Sequence, residues 1–279
     1  GLDMFTLMAM PFFILAGQIM NKSGITHRLV NFANVLVGHL RGGLAHANII
    51  ASIFFAGMTG AAVSDTAAIG TMLIPAMVED GYDKDFSAAV TASSSIIGPT
   101  IPPSNMMVIY GSLMGVSIAG LFAAGFVPGI LLGLMLMILS GFISKKRGYP
   151  KKEKRSSLKD MLFAFWDAIL ALLMPVIILG GILSGVFTPT EAAAIAVAYA
   201  FIVGKFVFKS LKMKDIPDLL EQTARTTGVV FLIIASASIL GWILASERVP
   251  EQIASMFLEI SNNKYVILLL INILMLIVG

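Results

Sequence analysis

The 279-residue chain contains no cysteine. Disulfides, thiolate metal sites and cysteine nucleophiles are therefore excluded together. Charge is scarce as well: 13% of residues are Asp, Glu, Lys or Arg, 57% are apolar, and the mean hydropathy is +0.91. Ordinary soluble domains do not have this composition, and the chain reads as a polytopic membrane protein. From Phe86 to Ser144 there is no charged residue at all. As one helix that run would measure roughly 88 Å at about 1.5 Å per residue, against a hydrocarbon core of about 30 Å, so it must cross about twice. Alternation of period two is missing, which makes the spans helices rather than barrel strands. Only His27, His39 and His46 carry imidazoles, too scattered for a metal triad, and HExxH is absent. A pI near 9.1 would suggest nucleic acid in a soluble protein. Here the basic residues flank apolar spans and act as topology signals, so the expected surroundings are a lipid bilayer and no nucleic acid.

What is present is a succession of apolar segments. They predict a span at about 3–20, an amphipathic helix at about 27–39, and two apolar arms over 44–79 interrupted near "GMTGAAVSD". A Gly/Pro-broken span follows at about 86–113 and a plain span at about 118–143. After the hydrophilic "KKRGYPKKEKRSSLK" come spans at about 168–187, 190–208 and 223–246, an amphipathic piece at 251–260, and an apolar run from 265. With the basic linker in the cytoplasm and 44–79 entering and leaving on one side, 17 of the 19 Lys and Arg fall inside, all but Arg248 and Lys264. That count does not separate a hairpin from two full spans. The interruption does: it is too small, polar and glycine-rich for a loop between long spans, and it suits a re-entrant tip buried in protein.

The layout occurs twice. A span, a polar break, an amphipathic helix and an apolar arm connect Gly17 to Gly57 and again Gly241 to Gly279, intervals of 40 and 38 residues. An odd number of crossings separates the copies, which makes them an inverted repeat, as in many secondary transporters. The expected organisation is a first repeat over 1–144, a basic cytoplasmic linker over 145–166 and a second repeat over 167–279. Both ends look cut: the chain has no initiator Met, and Gly279 lies inside an apolar run.

The stretch "SSSIIGPTIPPSN" lies in the middle of the charge-free region. Pro99, Pro102 and Pro103 lack amide donors and clash with the preceding turn, so the helix must break there. Unpaired backbone groups in hydrocarbon cost several kcal/mol each and must face protein, water or an ion. A proline kink repaired by neighbouring helices is the plainer alternative. Three prolines together with a second break at 57–65 favour a site built from carbonyl and hydroxyl oxygens, donors that suit a small hard cation.

The segments "FFAGMTGAAVSDTAAIGTMLIPAMVEDGYDKDFSAAVTASSSIIGPTIPPSNMMVIYG" and "PVIILGGILSGVFTPTEAAA" strongly resemble the large membrane subunit of tripartite ATP-independent periplasmic (TRAP) transporters, the DctM-like family. The likeness runs over essentially the whole chain. It implies an all-α, inverted-repeat, elevator-type transporter with re-entrant hairpins and discontinuous helices, of which this chain is a fragment, located in the bacterial inner membrane. It further implies Na⁺-coupled uptake of organic acids such as C4-dicarboxylates or sialic acid. The implied partners are a periplasmic DctP-like binding protein and a small DctQ-like membrane subunit. On the family pattern, Thr59 and Ala61 of "MTGAA" and Gly98, Ile101 and Pro103 of "GPTIPP" form a sodium site, largely through backbone carbonyls. Ala61 stands where the family usually has serine and offers only its carbonyl. A second hairpin and a second Pro-Pro break are expected beyond Gly279.

Asp65 is the sole acidic residue between Arg41 and Glu79, and two compatible readings stand for it, a helix cap or a cavity carboxylate. Ser64 and Thr66 beside it read as caps before ligands, and Ser64 stands with Asp65 as a candidate for the substrate cavity. Donors for an anionic substrate would come from helix N-termini and from Ser93, Ser94, Ser95, Thr100, Ser104 and Asn105. Arg225 is the nearest cation but reads first as a positive-inside anchor, and Glu191 reads first as a helix N-terminal residue. A channel would use similar carbonyl-lined breaks. An intramembrane hydrolase would need a base beside Ser64 or a carboxylate mate for Asp65, and the sequence supplies neither.

Overall fold

The computed structural model describes residues 5–151 and 155–278. The chain is 83% helical, and among the described residues the only β pairing is a single bridge between Arg41 and Lys151. After a 3-10 turn at Phe5–Met8 come α1 (Ala9–Lys22), α2 (Ile25–Val37), α3 (Gly43–Thr59), α4 (Ala62–Glu79), α5 (Lys84–Ser95) and α6 (Asn105–Met114). Then follow α7 (Ile118–Arg147), α8 (Leu158–Leu183), α9 (Pro189–Ile202) with a π-helical turn at Val203–Val207, α10 (Ile216–Ser246), α11 (Val249–Ile260) and α12 (Lys264–Val278). Among the described residues, four helical segments, Ile118–Arg147, Leu158–Leu183, Pro189–Val207 and Met213–Ser246, are long and apolar enough to cross a membrane. This agrees with an all-α polytopic membrane protein.

Four helices, α6 to α9, begin where side chains satisfy free amides. Ser104 and Ser117 cap α6 and α7, and reciprocal capping boxes open α8 (Ser157 with Asp160) and α9 (Thr188 with Glu191). The box at Ser157 explains why α8 begins at Leu158 rather than near 168. Lys159 and Asp160 interrupt the apolar run in the sequence, yet they stand in the first turn of the helix. Asp167 is accommodated further along by an ion pair with Arg28 of α2. Likewise α10 starts at Ile216, before the apolar stretch from 223, with a polar opening that includes Asp218. Pro75, Pro128 and Pro175 sit inside α4, α7 and α8 without ending them. Where three prolines cluster, between Ser95 and Asn105, the helix is broken.

The described residues fall into two compact units, one ending at Thr227 and one running from Gly228 onward. In the first, α1 lies along α9, whose buried face is Ala192, Ala193, Ala196 and Ala200. Small residues let two backbones approach closely where no hydrophobic effect drives helices together. α2 packs on α3 and α8, and α3 also contacts α4, α5 and α7. The core is centred on Phe13, Phe55, Met58, Phe122 and Ile178. In the second unit α11 packs on α12, and large apolar side chains such as Trp242 and Leu276 are exposed, as expected of surfaces that face lipid or other protein.

Candidate functional site: two helix breaks that meet

The arms α3 and α4 pack against each other and are joined by Gly60 and Ala61 alone. Gly60 is left-handed (φ +58°), the conformation that ends a helix most cheaply without a Cβ, and its N–H returns to Ala56 O at 3.3 Å. Ala61 is extended (φ −143°) and forms the N-cap of α4, its carbonyl accepting from the Asp65 N–H at 3.2 Å. Both ends of the hairpin meet the segment that closes α7. The Gly42 N–H donates to Pro150 O at 3.0 Å, and Asp83 accepts from Tyr149 Oη and Arg147, each at 2.6 Å. These two donors, Tyr149 first, hold the Asp83 carboxyl below its ordinary range.

The tip rests on the second break. The Asn105 N–H donates to Gly60 O at 3.4 Å, and a Cβ on Gly60 would stand 3.0 Å from both Asn105 N and Ser104 Cα. Gly57, one turn before, faces Pro175 of α8 and the Pro102 carbonyl. On the return arm Asp65 is fully buried, and a Cβ on Gly98 would collide with its carboxylate. Glycine at 57, 60 and 98 thus removes the side chains that would keep the elements apart. The Pro102–Pro103 peptide is cis. α6 then continues from Asn105 for ten residues, packing on α1, α7 and the Phe5–Met8 turn.

Of the residues expected at a cation site, Pro103 meets the Gly60 tip, Ala61 follows Gly60 in the chain and Gly98 meets Asp65, whereas Ile101 packs with Ile49, Ala56 and Ile97 and against Gly129 of α7. Thr59 closes α3, and its side chain lies outside the described residues. Among the described residues, no backbone N–H donates to the carbonyls of Gly98, Ile101 or Pro103. The Ala61 carbonyl keeps a second lone pair beyond the one used by Asp65. Among the described residues no group of three His, Asp or Glu is placed to hold a metal ion.

Several hydroxyls are placed differently from the sequence reading. Ser95 donates to Thr91 O (2.8 Å) and Thr100 to Ile96 O (2.9 Å), each within its own chain turn. Ser104 is the N-cap of α6 and donates to Pro99 O (2.7 Å), bracing the break itself. Ser64 is exposed, and Thr66 donates to Ala62 O (2.9 Å), so neither caps α4. The N-cap residue of α4, Ala61, gives no side-chain cap, and the Asp65 carboxylate lies against Gly98. Glu191 closes the capping box of α9, and Arg225 pairs with Glu221 one turn away at 3.0 Å.

The sequence reading missed a buried polar ladder between α3 and α5. Asn48 Nδ2 donates to Thr91 Oγ1 (2.7 Å) and the Ser52 hydroxyl to Ser94 Oγ (2.9 Å). The Ser94 proton has acceptors at Asn48 Oδ1 (3.2 Å) and Thr91 O (3.1 Å). All four side chains have zero exposure, so Ser94 is a tie between helices and not a substrate donor. The four-residue spacing of Asn48 and Ser52 puts them on one helix face and was the available signal.

Long apolar helices around a buried meeting of two helix breaks describe an all-α polytopic membrane protein. The whole chain, residues 1–279, matches the family described as "Tripartite ATP-independent periplasmic transporter, DctM component", and it belongs to that family. It is thus a transporter component and not an enzyme, in the bacterial inner membrane. It is 48% identical over its full length to the sialic acid TRAP transporter large permease protein SiaM of Vibrio cholerae, covering 65% of that protein. To the isethionate TRAP transporter permease protein DctMQ of Oleidesulfovibrio alaskensis it is 46% identical, covering all of this chain and 44% of the relative. To the C4-dicarboxylate TRAP transporter large permease protein DctM of Pseudomonas aeruginosa it is 40% identical, covering 99% and 64%. The chain spans between 44% and 65% of the length of these three relatives.

Proposed function

We propose that the protein is the permease part of a Na⁺-coupled secondary transporter that imports a small organic acid. In this reading a periplasmic binding protein delivers the acid, and a small membrane subunit assists. The names of the relatives support the substrate class, since sialic acid, isethionate and C4-dicarboxylates are all small organic anions. The observation that carries the ion coupling is the contact of the Gly60 tip with Pro103–Asn105 beside the buried Asp65. There, carbonyls released by two breaks stand near a carboxylate.

The Na⁺ is cargo, held by the carbonyls of Ala61, Gly98, Ile101 and Pro103 with Thr59 alongside, and Asp65 supplies the neutralising charge. In this reading the hairpin is re-entrant, which is supported by α6 going on from the break for ten residues, about 15 Å. Occupancy by Na⁺ holds tip and break together, and the organic anion binds to the arrangement so formed. Basic residues of the 145–159 linker lie in the cytoplasm.

The test uses the full-length permease with its small subunit in proteoliposomes and the ligand-loaded binding protein outside. Saturable uptake that needs both the binding protein and an inward Na⁺ gradient is expected. Conductance without the binding protein would make the protein a channel and overturn the proposal. The acid itself is identified by the ligand that raises the melting temperature of the cognate binding protein.

A further inference from the structure

A cavity of about 600 Å³ opens at the C-terminal end of α7, walled by His39, Arg41, His46, Gly141, Lys145 and Lys151. Three of these are cations, and none carries a carboxylate. Among the described residues the ion pairs are Lys22–Asp215, Arg28–Asp167, Arg147–Asp83 and Arg225–Glu221, and none of them involves Arg41, Lys145 or Lys151. Arg155 adds a fourth cation at the rim by donating from Nε to His39 Nε2 at 3.1 Å. His39 and Arg155 also line a smaller slot of about 180 Å³ whose other walls include Val35, Leu36 and Met161. The basic cavity and the apolar slot therefore meet at one imidazole.

The position relative to lipid follows from α7. Its 30 residues measure about 45 Å, longer than a hydrocarbon core of about 30 Å, so its last turns stand in the headgroup layer. Ile138, Gly141, Phe142 and Lys145 follow the i, i+3, i+4, i+7 spacing of a single helix face. Ile138 and Phe142 on that face are 73% and 74% exposed. A surface suited to acyl chains thus runs directly into a wall of the basic cavity.

We propose that this cavity binds the phosphate headgroup of an anionic phospholipid, with its acyl chains lying along Ile138 and Phe142. A cluster of cations above an apolar face matches an amphiphile with a negative head better than a free anion, which would leave the apolar walls uncovered. The site is separate from the meeting of the two breaks, and it involves none of the residues assigned there.

The full-length permease is placed in phosphatidylcholine nanodiscs, and its affinity for phosphatidylglycerol is measured by native mass spectrometry. Each cation near a membrane surface contributes about fivefold to anionic lipid binding, so Arg41→Gln/Lys145→Gln/Lys151→Gln is expected to weaken it on the order of a hundredfold. As a control, Lys209→Gln/Lys212→Gln/Lys214→Gln removes equal charge elsewhere and is expected to retain affinity. Unchanged binding in the first variant, or equal loss in the control, overturns the proposal. So does displacement of the lipid by glycerol phosphate or inorganic phosphate at comparable concentration, which would assign the cavity to a free anion. If the triple variant does not elute as a folded species, Lys145→Gln and Lys151→Gln singly carry the test. Both side chains are exposed, and a loss of about fivefold each is expected.

Discussion

Replacing Gly60 with alanine tests the contact between the two breaks. The residue sits at φ +58°, where a Cβ costs roughly 1–2 kcal/mol. The new methyl would also lie 2.5 Å from Pro103 O and 3.0 Å from Asn105 N and Ser104 Cα. These are backbone atoms that no rotamer change moves aside, so overpacking adds about 1–3 kcal/mol. Together the terms come to about 2–5 kcal/mol, a shift of at least about thirtyfold against the closed contact. Gly81 supplies the control, since it has φ +93° and a methyl added there would meet nothing within 4 Å, so Gly81→Ala bears only the backbone cost. Uptake by the reconstituted permease, titrated with Na⁺, and the melting temperature in detergent are measured for both variants. Gly60→Ala is expected to raise the Na⁺ concentration needed for half-maximal uptake, while Gly81→Ala lowers stability slightly and leaves that concentration unchanged. Equal Na⁺ titrations for the two variants would refute the assignment of the tip to the ion site.

Three other outcomes follow from the geometry. Asp65→Asn keeps the volume of the buried side chain but removes its charge, and at least tenfold weaker Na⁺ dependence of uptake is expected, equivalent to about 1.4 kcal/mol; an unaltered titration would remove the carboxylate from the ion's surroundings. Asn48→Leu deprives Thr91 and Ser94 of their buried partner and is expected to cost about 1–3 kcal/mol, read as a lowered melting temperature, with an unchanged one contradicting the ladder. Asp83 has its carboxyl depressed below 3.8 in the folded protein, so its contribution is present above that value and is lost as pH falls through the lower folded pKa. Melting curves of the wild type and Asp83→Asn should differ at neutral pH and converge only in strong acid, and convergence near neutrality would show that the Tyr149 contact is not held.

The elements of the fold were largely legible because membrane helices declare themselves by apolar length. The position of the hairpin turn was legible because Gly60 stands in a short polar island between two apolar arms. The starts of α8 and α10 were not, since capping residues and a paired Asp167 look like interruptions until their partners are known. At the site, the backbone assignments rested on proline chemistry and on family likeness, and both breaks lie where that chemistry put them. The hydroxyls were misread, because a serine in an apolar run carries no mark of whether it faces a cavity or its own helix. Ser94 was settled by Asn48 and Ser52, which lie 46 and 42 residues away in sequence. Asp65 and Gly98 were likewise connected only by the fold.

The polar ladder also constrains how the hairpin can move. With Asn48 and Ser52 bonded to Thr91 and Ser94 in a dry interior, α3 and α5 behave as a splinted pair, because shearing one along the other would strand donors and acceptors with no water to take them. A displacement of α3 would therefore take α5 with it, as far as Lys84 beside the Asp83 tie with Tyr149 and Arg147.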